Sequence, residues 1–256
     1  MIPVADGELH VSVTGDGPPL LLIAGGLGAA DAYRTLAKHL DGFTIVSYDR
    51  RGHFHSSDHT SGPIPVTRHA DDVFAILEHL SLGPVSVFAS SAGALIGLDL
   101  VSRYPAAVST LVAHEPPAVQ LMPDAQAWLE DVAQQVRLAR SGDLMAAFTR
   151  FVSGIAGAAL PDLRAVRLPN EKEWQFLFDR EITEFFDYLP DLRALRKSGV
   201  DIVPTAGSGS RGRYHYQPAK VLALELGLPF VESPGAHLAP QRNPKEFAVA
   251  LREFLS

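Results

Sequence analysis

Apolar positions recur along this chain with two different periods, and the alternation between them predicts the fold. Residues Glu8 to Thr14 alternate polar and apolar, Gly15-Asp16-Gly17-Pro18-Pro19 marks a turn, and Leu20 to Ala24 is a solid apolar run, the pattern of a strand buried on both faces. Helical spacing follows over Asp31 to Leu40, a strand pattern over Phe43 to Tyr48, and a helix over Val66 to Leu80 with Ala70, Val73, Phe74 and Leu77 on one face. Val85 to Ala89 predicts a strand, Ala92 to Tyr104 a helix and Thr110 to Ala113 a further strand. Strands and helices that take turns in this way predict the α/β class, a mostly parallel sheet with helices on both faces.

From Pro116 to about Gly199 the strand pattern disappears. Helical stretches are predicted near Ala125 to Arg140, Leu144 to Ile155 and Glu171 to Tyr188, so residues 116–199 are expected to form an inserted helical lid. The sheet pattern resumes with Asp201 to Thr205, a helix around Pro218 to Leu226, a strand over Pro229 to Glu232 and a closing helix from Pro244 to Leu255. The core is therefore expected to comprise residues 1–115 and 200–256. Within the lid, Trp174, Leu177, Phe178, Ile182, Phe185 and Leu189 recur at helical spacing, which predicts a stripe packed on the core, with a minority facing a ligand.

Composition narrows the possibilities. With 46% hydrophobic and 20% charged residues, the 256-residue chain is that of an ordinary globular protein long enough to bury a large core. The run Leu20 to Ala30, interrupted by three glycines, falls short of the roughly 18 apolar residues needed to cross a bilayer. The start carries Asp6 and Glu8 and no basic region, so no cleavable signal is expected and a cytoplasmic location is the default. The absence of cysteine excludes disulfides, thiol nucleophiles and thiolate metal sites, and leaves oxygen or nitrogen to act as any nucleophile. A net charge of −7 with scattered basic residues opposes nucleic-acid binding.

Candidate chemistry concentrates where strands end. Ala89-Ser90-Ser91-Ala92-Gly93 joins the strand Val85 to Phe88 to an apolar helix and has the small-x-nucleophile-x-small form of a nucleophile elbow, with alanine for the first glycine. Ser91 is its middle residue and the candidate nucleophile; the same residues also suit a tight turn whose serines cap the helix. Ser233-Pro234-Gly235-Ala236-His237-Leu238 follows the last strand and puts His237 at the same sheet edge, as a base for Ser91 or as a loop histidine bound to backbone. Ala24-Gly25-Gly26-Leu27-Gly28 follows the first buried strand. An oxyanion hole takes one N–H from such a loop and one from the residue after the nucleophile, which singles out Gly26 and Ala92, although a glycine cluster also suits a plain turn or a phosphate loop.

Together, Ile23-Ala24-Gly25-Gly26, the stretch Tyr48-Asp49-Arg50-Arg51-Gly52-His53-Phe54-His55-Ser56, Ala89 to Gly93 and Pro234 to His237 give the chain, over nearly its whole length, an order of motifs that resembles the α/β-hydrolase superfamily. The resemblance implies hydrolysis of an ester, amide, lactone or related bond of a small molecule without a cofactor. Two positions depart from the family. Phe54 replaces a usual glycine and is expected to narrow the site. The usual acid is missing, because Ala206-Gly207-Ser208-Gly209-Ser210-Arg211 holds no carboxylate and none occurs between Asp201 and Glu225. A less common position for the family's acid, at the end of the strand after the nucleophile helix, offers Glu115, in the order Ser91, Glu115, His237. Glu115 is alternatively a cap or ion-pair partner at the entry to the lid.

Other readings are distinguished by particular residues. His53 and His55 lack a third clustered ligand, so no metal site is expected. Gly26-Leu27-Gly28 with Asp49 imitates part of a dinucleotide fingerprint, but Asp31 stands at its third glycine position, where its charge would repel pyrophosphate. A lyase, a cofactor-free oxygenase or a ligand receptor on the same fold is the remaining alternative, because fold does not dictate function.

Overall fold

The apolar run ending at Ile23 is the natural centre of a sheet, since a strand with no polar face must be covered on both sides. In the computed structural model, which describes residues 1–156, 168 and 170–256, it forms strand β4 (Pro19–Ile23) between two parallel neighbours. The strands before it are β1 (Ile2–Val4), β2 (Gly7–Leu9) and β3 (Val11–Thr14). Those after it are β5 (Thr44–Tyr48), β6 (Val85–Ser90), β7 (Val108–His114), β8 (Asp201–Gly207) and β9 (Val231–Ser233). Seven of them form one sheet in the order β3-β5-β4-β6-β7-β8-β9, in which only the edge pair β3–β5 is antiparallel. β1 and β2 form a separate hairpin, which divides the strand expected over Glu8 to Thr14 at His10.

Side chains of β4 divide between two cores. Leu21 and Ile23 join the cluster under helices Val66–His79 and Ala92–Arg103, while Leu20 and Leu22 join the cluster under helix Pro244–Phe254. Burial of each such side chain is worth about 1.5–3 kcal/mol. The face predicted for helix Val66–His79 is buried at Ala70, Val73 and Leu77; Phe74 sits at its margin and stacks on Tyr104 with ring centroids 4.0 Å apart. The helix expected over Asp31 to Leu40 is shorter, Arg34–Ala37, because its first residues form turns that carry the loop after β4 past the sheet edge.

Between β7 and β8 the described residues are helical at Ala125–Arg140, Leu144–Ala156, Glu171–Phe176, Ile182–Asp187 and Leu192–Lys197. Residues 157–167 and 169 of the expected lid lie outside the described residues. Leu177, Phe178, Ile182 and Phe185 are buried as the stripe predicts, but Leu189 is 59% exposed. The helix ends at Asp187 because Tyr188 turns extended and Leu189 precedes Pro190, a position that disfavours helical backbone. Five residues, Leu177–Glu181, take wider π-helical turns, which the periodicity did not predict. Among the described residues no helix is long and apolar enough to cross a membrane.

Candidate active site

The carboxyl ends of the parallel strands, where ligands of open α/β sheets bind, collect the residues of interest on one edge. Ser91 follows β6 with φ 57° and ψ −132°, backbone that costs a non-glycine residue about 1–3 kcal/mol. Packing enforces it. The Ser91 N–H donates to the His114 carbonyl at 2.9 Å, and the Ser91 carbonyl accepts from the Ala94 N–H at 2.8 Å. A side chain at Gly93 would stand 2.4 Å from the Ile23 carbonyl oxygen, and one at Gly25 would stand 2.5 Å from Ser91 Cβ, so both positions require glycine. The Ser91 side chain makes no capping hydrogen bond to the helix it precedes, which removes the helix-cap reading. Its neighbour Ser90 points elsewhere: Ser90 Oγ lies 2.8 Å from His114 Nδ1, both residues being buried.

Glu115, immediately after β7, is completely buried and holds φ 49° while its N–H donates to the Thr205 carbonyl at 2.8 Å. Its Oε1 accepts from the Gly207 N–H at 2.7 Å. Its Oε2 lies 2.5 Å from His237 Nδ1 and 3.1 Å from His215 Nε2. The carboxylate thus faces the histidine loop rather than the lid entry. His237 is held there because the Gly235 carbonyl in its loop accepts the Gly209 N–H at 2.7 Å. With Glu115 Oε2 accepting a hydrogen bond from His237 Nδ1–H, Nε2 is the ring nitrogen turned away from the acid, and both His237 and Ser91 line one cavity of about 640 Å³, a size suited to a small ligand.

Three imidazoles surround the acid. Burial pushes His114 down to about 4 and His215 down to about 3. Burial would raise the Glu115 carboxyl, but the hydrogen bond from His237 and the charges of His114, His237 and His215 outweigh it and hold the group at about 2. Neither histidine was singled out in the sequence: His114 precedes Glu115 directly but ends an otherwise apolar strand run, and His215 lies far from Glu115 along the chain. His114 and His215 are neutral in the fold until pH falls to about 4 and about 3, and carry charge only in the acid range where Glu115 itself titrates; unfolded, they accept protons near 6.5, so their stability contribution is complete above that pH and declines as pH falls toward 4 and 3. Glu115, depressed from 4.5, contributes fully above 4.5 and loses its contribution as pH falls toward 2. The thermal midpoint, followed by circular dichroism, should therefore be level above about pH 7 and decline progressively below about pH 6.5. A midpoint unchanged down to about pH 5 would contradict this account of the cluster.

The two amides singled out for an oxyanion lie beside Ser91. Ala92 opens helix Ala92–Arg103, so its N–H has no partner within the helix. The Gly25 carbonyl accepts the Gly28 N–H at 2.9 Å, and peptide planarity then directs the Gly26 N–H the opposite way. Gly26 also ties this loop to the helical segment between β7 and β8. Its carbonyl accepts from Arg50 Nη2 at 2.7 Å, while Arg50 makes two 2.8 Å bonds to the buried Glu181 of the π-helical stretch. His53 Nε2 joins this network 2.7 Å from Glu181 Oε2, and these charges keep the Glu181 carboxyl well below its usual range despite its burial. His53 and His55 therefore serve different places, since His55 turns toward Asp49, with Nδ1 at 2.9 Å from Oδ2. Phe54, with φ 49°, lines the cavity, as its replacement of glycine implied.

Comparison with known proteins places the fold in a family. Residues 18–187 match the family model described as alpha/beta hydrolase fold. The chain is 33% identical over 266 aligned positions to the uncharacterized hydrolase YraK of Bacillus subtilis, covering 99% of this chain and 94% of that protein. It is 25% identical to a zearalenone hydrolase of Cladophialophora bantiana, covering 91% and 87% of the two chains. The enol-lactonase of Burkholderia xenovorans superposes with a TM-score of 0.73 at 18% identity, over 97% of this chain and 96% of that one, a likeness of fold. On a family match across most of the sheet and a relative aligned end to end, the chain belongs to the α/β-hydrolase fold family, among relatives named as hydrolases.

Proposed function

We propose that this α/β-hydrolase cleaves an ester, lactone or amide of a small, largely apolar molecule through an acyl-enzyme on Ser91. The observation that carries the reading is the 2.5 Å hydrogen bond between His237 Nδ1 and the buried Glu115 carboxylate, on the edge where Ser91 projects from its strained turn. Glu115 supplies the acid missing after β8, and the relatives named as hydrolases favour hydrolysis over a lyase, oxygenase or receptor on the same fold. The described residues of the 116–199 insertion act as the lid, with Phe151, Val152, Ile155 and Trp174 giving the cavity an apolar wall.

His237 Nε2 takes the Ser91 hydroxyl proton as Oγ bonds to the substrate carbonyl carbon. The carbonyl oxygen becomes an oxyanion, stabilised by the Gly26 and Ala92 amides. Collapse breaks the bond to the leaving group, which receives the proton back from His237. Water then attacks the acyl-enzyme by the same route, its proton passing to His237 and on to Ser91, and the acid product leaves. Glu115 stabilises the imidazolium and keeps the ring in the tautomer whose Nε2 accepts.

Labelling with a fluorophosphonate, followed by peptide mass spectrometry, tests the reading. One adduct on Ser91 is expected, with labelling lost in His237→Ala. An adduct on Ser90 would overturn the assignment, because Ser90 is engaged with His114.

A further inference from the structure

We propose that His10, Asp49 and His55 form a binding site for a divalent transition-metal ion, zinc foremost, on the wall of the Ser91 cavity. The three residues come from separate places: His10 from the junction of β2 and β3, Asp49 from just beyond the end of β5, and His55 from the loop that follows. All three line the cavity. Their donor atoms, one from each, lie within 4.8 Å of one another. Asp49 Oδ2 is 2.9 Å from His55 Nδ1 and 3.2 Å from His10 Nδ1, and the two rings are 4.9 Å apart. Tetrahedral zinc with bonds of about 2.0–2.1 Å needs donors about 3.3 Å apart, so small side-chain rotations would admit the ion.

The backbone around the site is already organised for it. The Asp49 N–H donates to the His10 carbonyl at 3.0 Å and the His10 N–H donates to Ser56 Oγ at 3.0 Å. Ser56 Oγ–H in turn donates to the Asp49 carbonyl at 2.6 Å, closing a ring of hydrogen bonds that joins the three segments. The Ala30 N–H donates to Asp49 Oδ1 at 2.7 Å, orienting the carboxylate so that Oδ2 is the oxygen turned to the histidines, a support of the kind metal ligands require. His10 Nδ1 is buried, yet among the described residues it has no hydrogen bond of good geometry despite its approach to Oδ2. A buried donor nitrogen in that condition is what a metal would satisfy.

Two imidazole nitrogens and one carboxylate oxygen select zinc, nickel, copper or cobalt over magnesium and calcium, which prefer all-oxygen shells. Three protein ligands also leave coordination positions open for water or an oxygen of a bound small molecule. The other histidine–carboxylate group, Glu115 with His215 and His237, belongs to the site already described, with Oε2 2.5 Å from His237 Nδ1 and 3.1 Å from His215 Nε2. The proposed site does not depend on the role of Ser91.

Calorimetric titration of zinc chloride into the full chain, first stripped with a chelator and desalted, tests the proposal. One equivalent is expected to bind in the micromolar range or tighter. His10→Ala and His55→Ala, and the gentler His10→Gln and His55→Gln, should each weaken binding by at least about tenfold while far-ultraviolet circular dichroism stays unchanged. Asp49 is left intact because its carboxylate also holds the Ala30 amide. Absence of binding to the parent chain would overturn the proposal, leaving Asp49 a hydrogen-bond acceptor between two imidazoles. Undiminished binding in folded variants of either histidine would also overturn it, since the ion would then sit elsewhere.

Discussion

Replacement of Ser91 by alanine is expected to lower ester turnover by roughly four to six orders of magnitude, the scale seen when a serine nucleophile is removed from a triad. On the proposed mechanism the loss is this large because Ser91 Oγ is the atom that would carry the acyl group, and no neighbour can take its place. Ser90 is buried with its hydroxyl against His114 Nδ1, and the described wall of the cavity holds no cysteine. The fold should survive, since alanine keeps the Cβ packed against Gly25 and the Ser91 side chain caps nothing. Single-turnover hydrolysis of a chromogenic ester, with melting measured in parallel, checks both halves. Turnover within tenfold of the parent would remove Ser91 from the mechanism.

Glu115→Gln is expected to lower turnover by at least about 100-fold, with little change in KM. The glutamine carbonyl would accept the Gly207 N–H, the role Oε1 has now, which leaves the amide NH2 facing His237 Nδ1. A donor there makes Nδ1 an acceptor and moves the ring proton to Nε2, the wrong tautomer for taking a proton from Ser91. Substitution also removes the charge that stabilises the imidazolium. No carboxylate after β8 can compensate, because Ser208, Gly209 and Ser210 occupy that turn. An acid at residue 209 would be crowded as well, its Cβ standing 3.0 Å from the Gly235 carbonyl oxygen. Steady-state kinetics decides: a rise in KM alone would mean that Glu115 shapes the pocket rather than the histidine.

The sheet was legible because its signals are local. β4, β6 and β8 are short apolar runs bounded by glycine, proline or turn residues, and each forms where the pattern put it, within two residues at either end. The elbow could be read for the same reason: a strand, a small-x-Ser-x-small turn and a helix need only consecutive residues to be recognised. Periodicity failed where tertiary contacts overrode it. Leu189 continues the stripe in sequence but lies beyond the helix end, exposed, while Glu181 breaks the stripe and is nonetheless buried against Arg50 and His53. A charged residue turns inward here because partners far away in sequence, Arg50 and His53, stabilise its carboxylate once buried.

What the amino-acid order determined by itself was the α/β class, the helical insertion, the turn that strains Ser91 and the short set of residues from which an acid and a base could be drawn. Only the folded chain decided how that set combines. Glu115 and His237 are separated by 122 positions and Arg50 and Glu181 by 131, and no periodicity links residues that far apart. His215 beside Glu115, and His10 beside Asp49, likewise met through the order in which strands lie in the sheet. The physical reason is one of range: backbone preference and hydrophobic spacing act over a few residues, whereas a buried charge is stabilised only by groups that packing brings within about 3 Å of it.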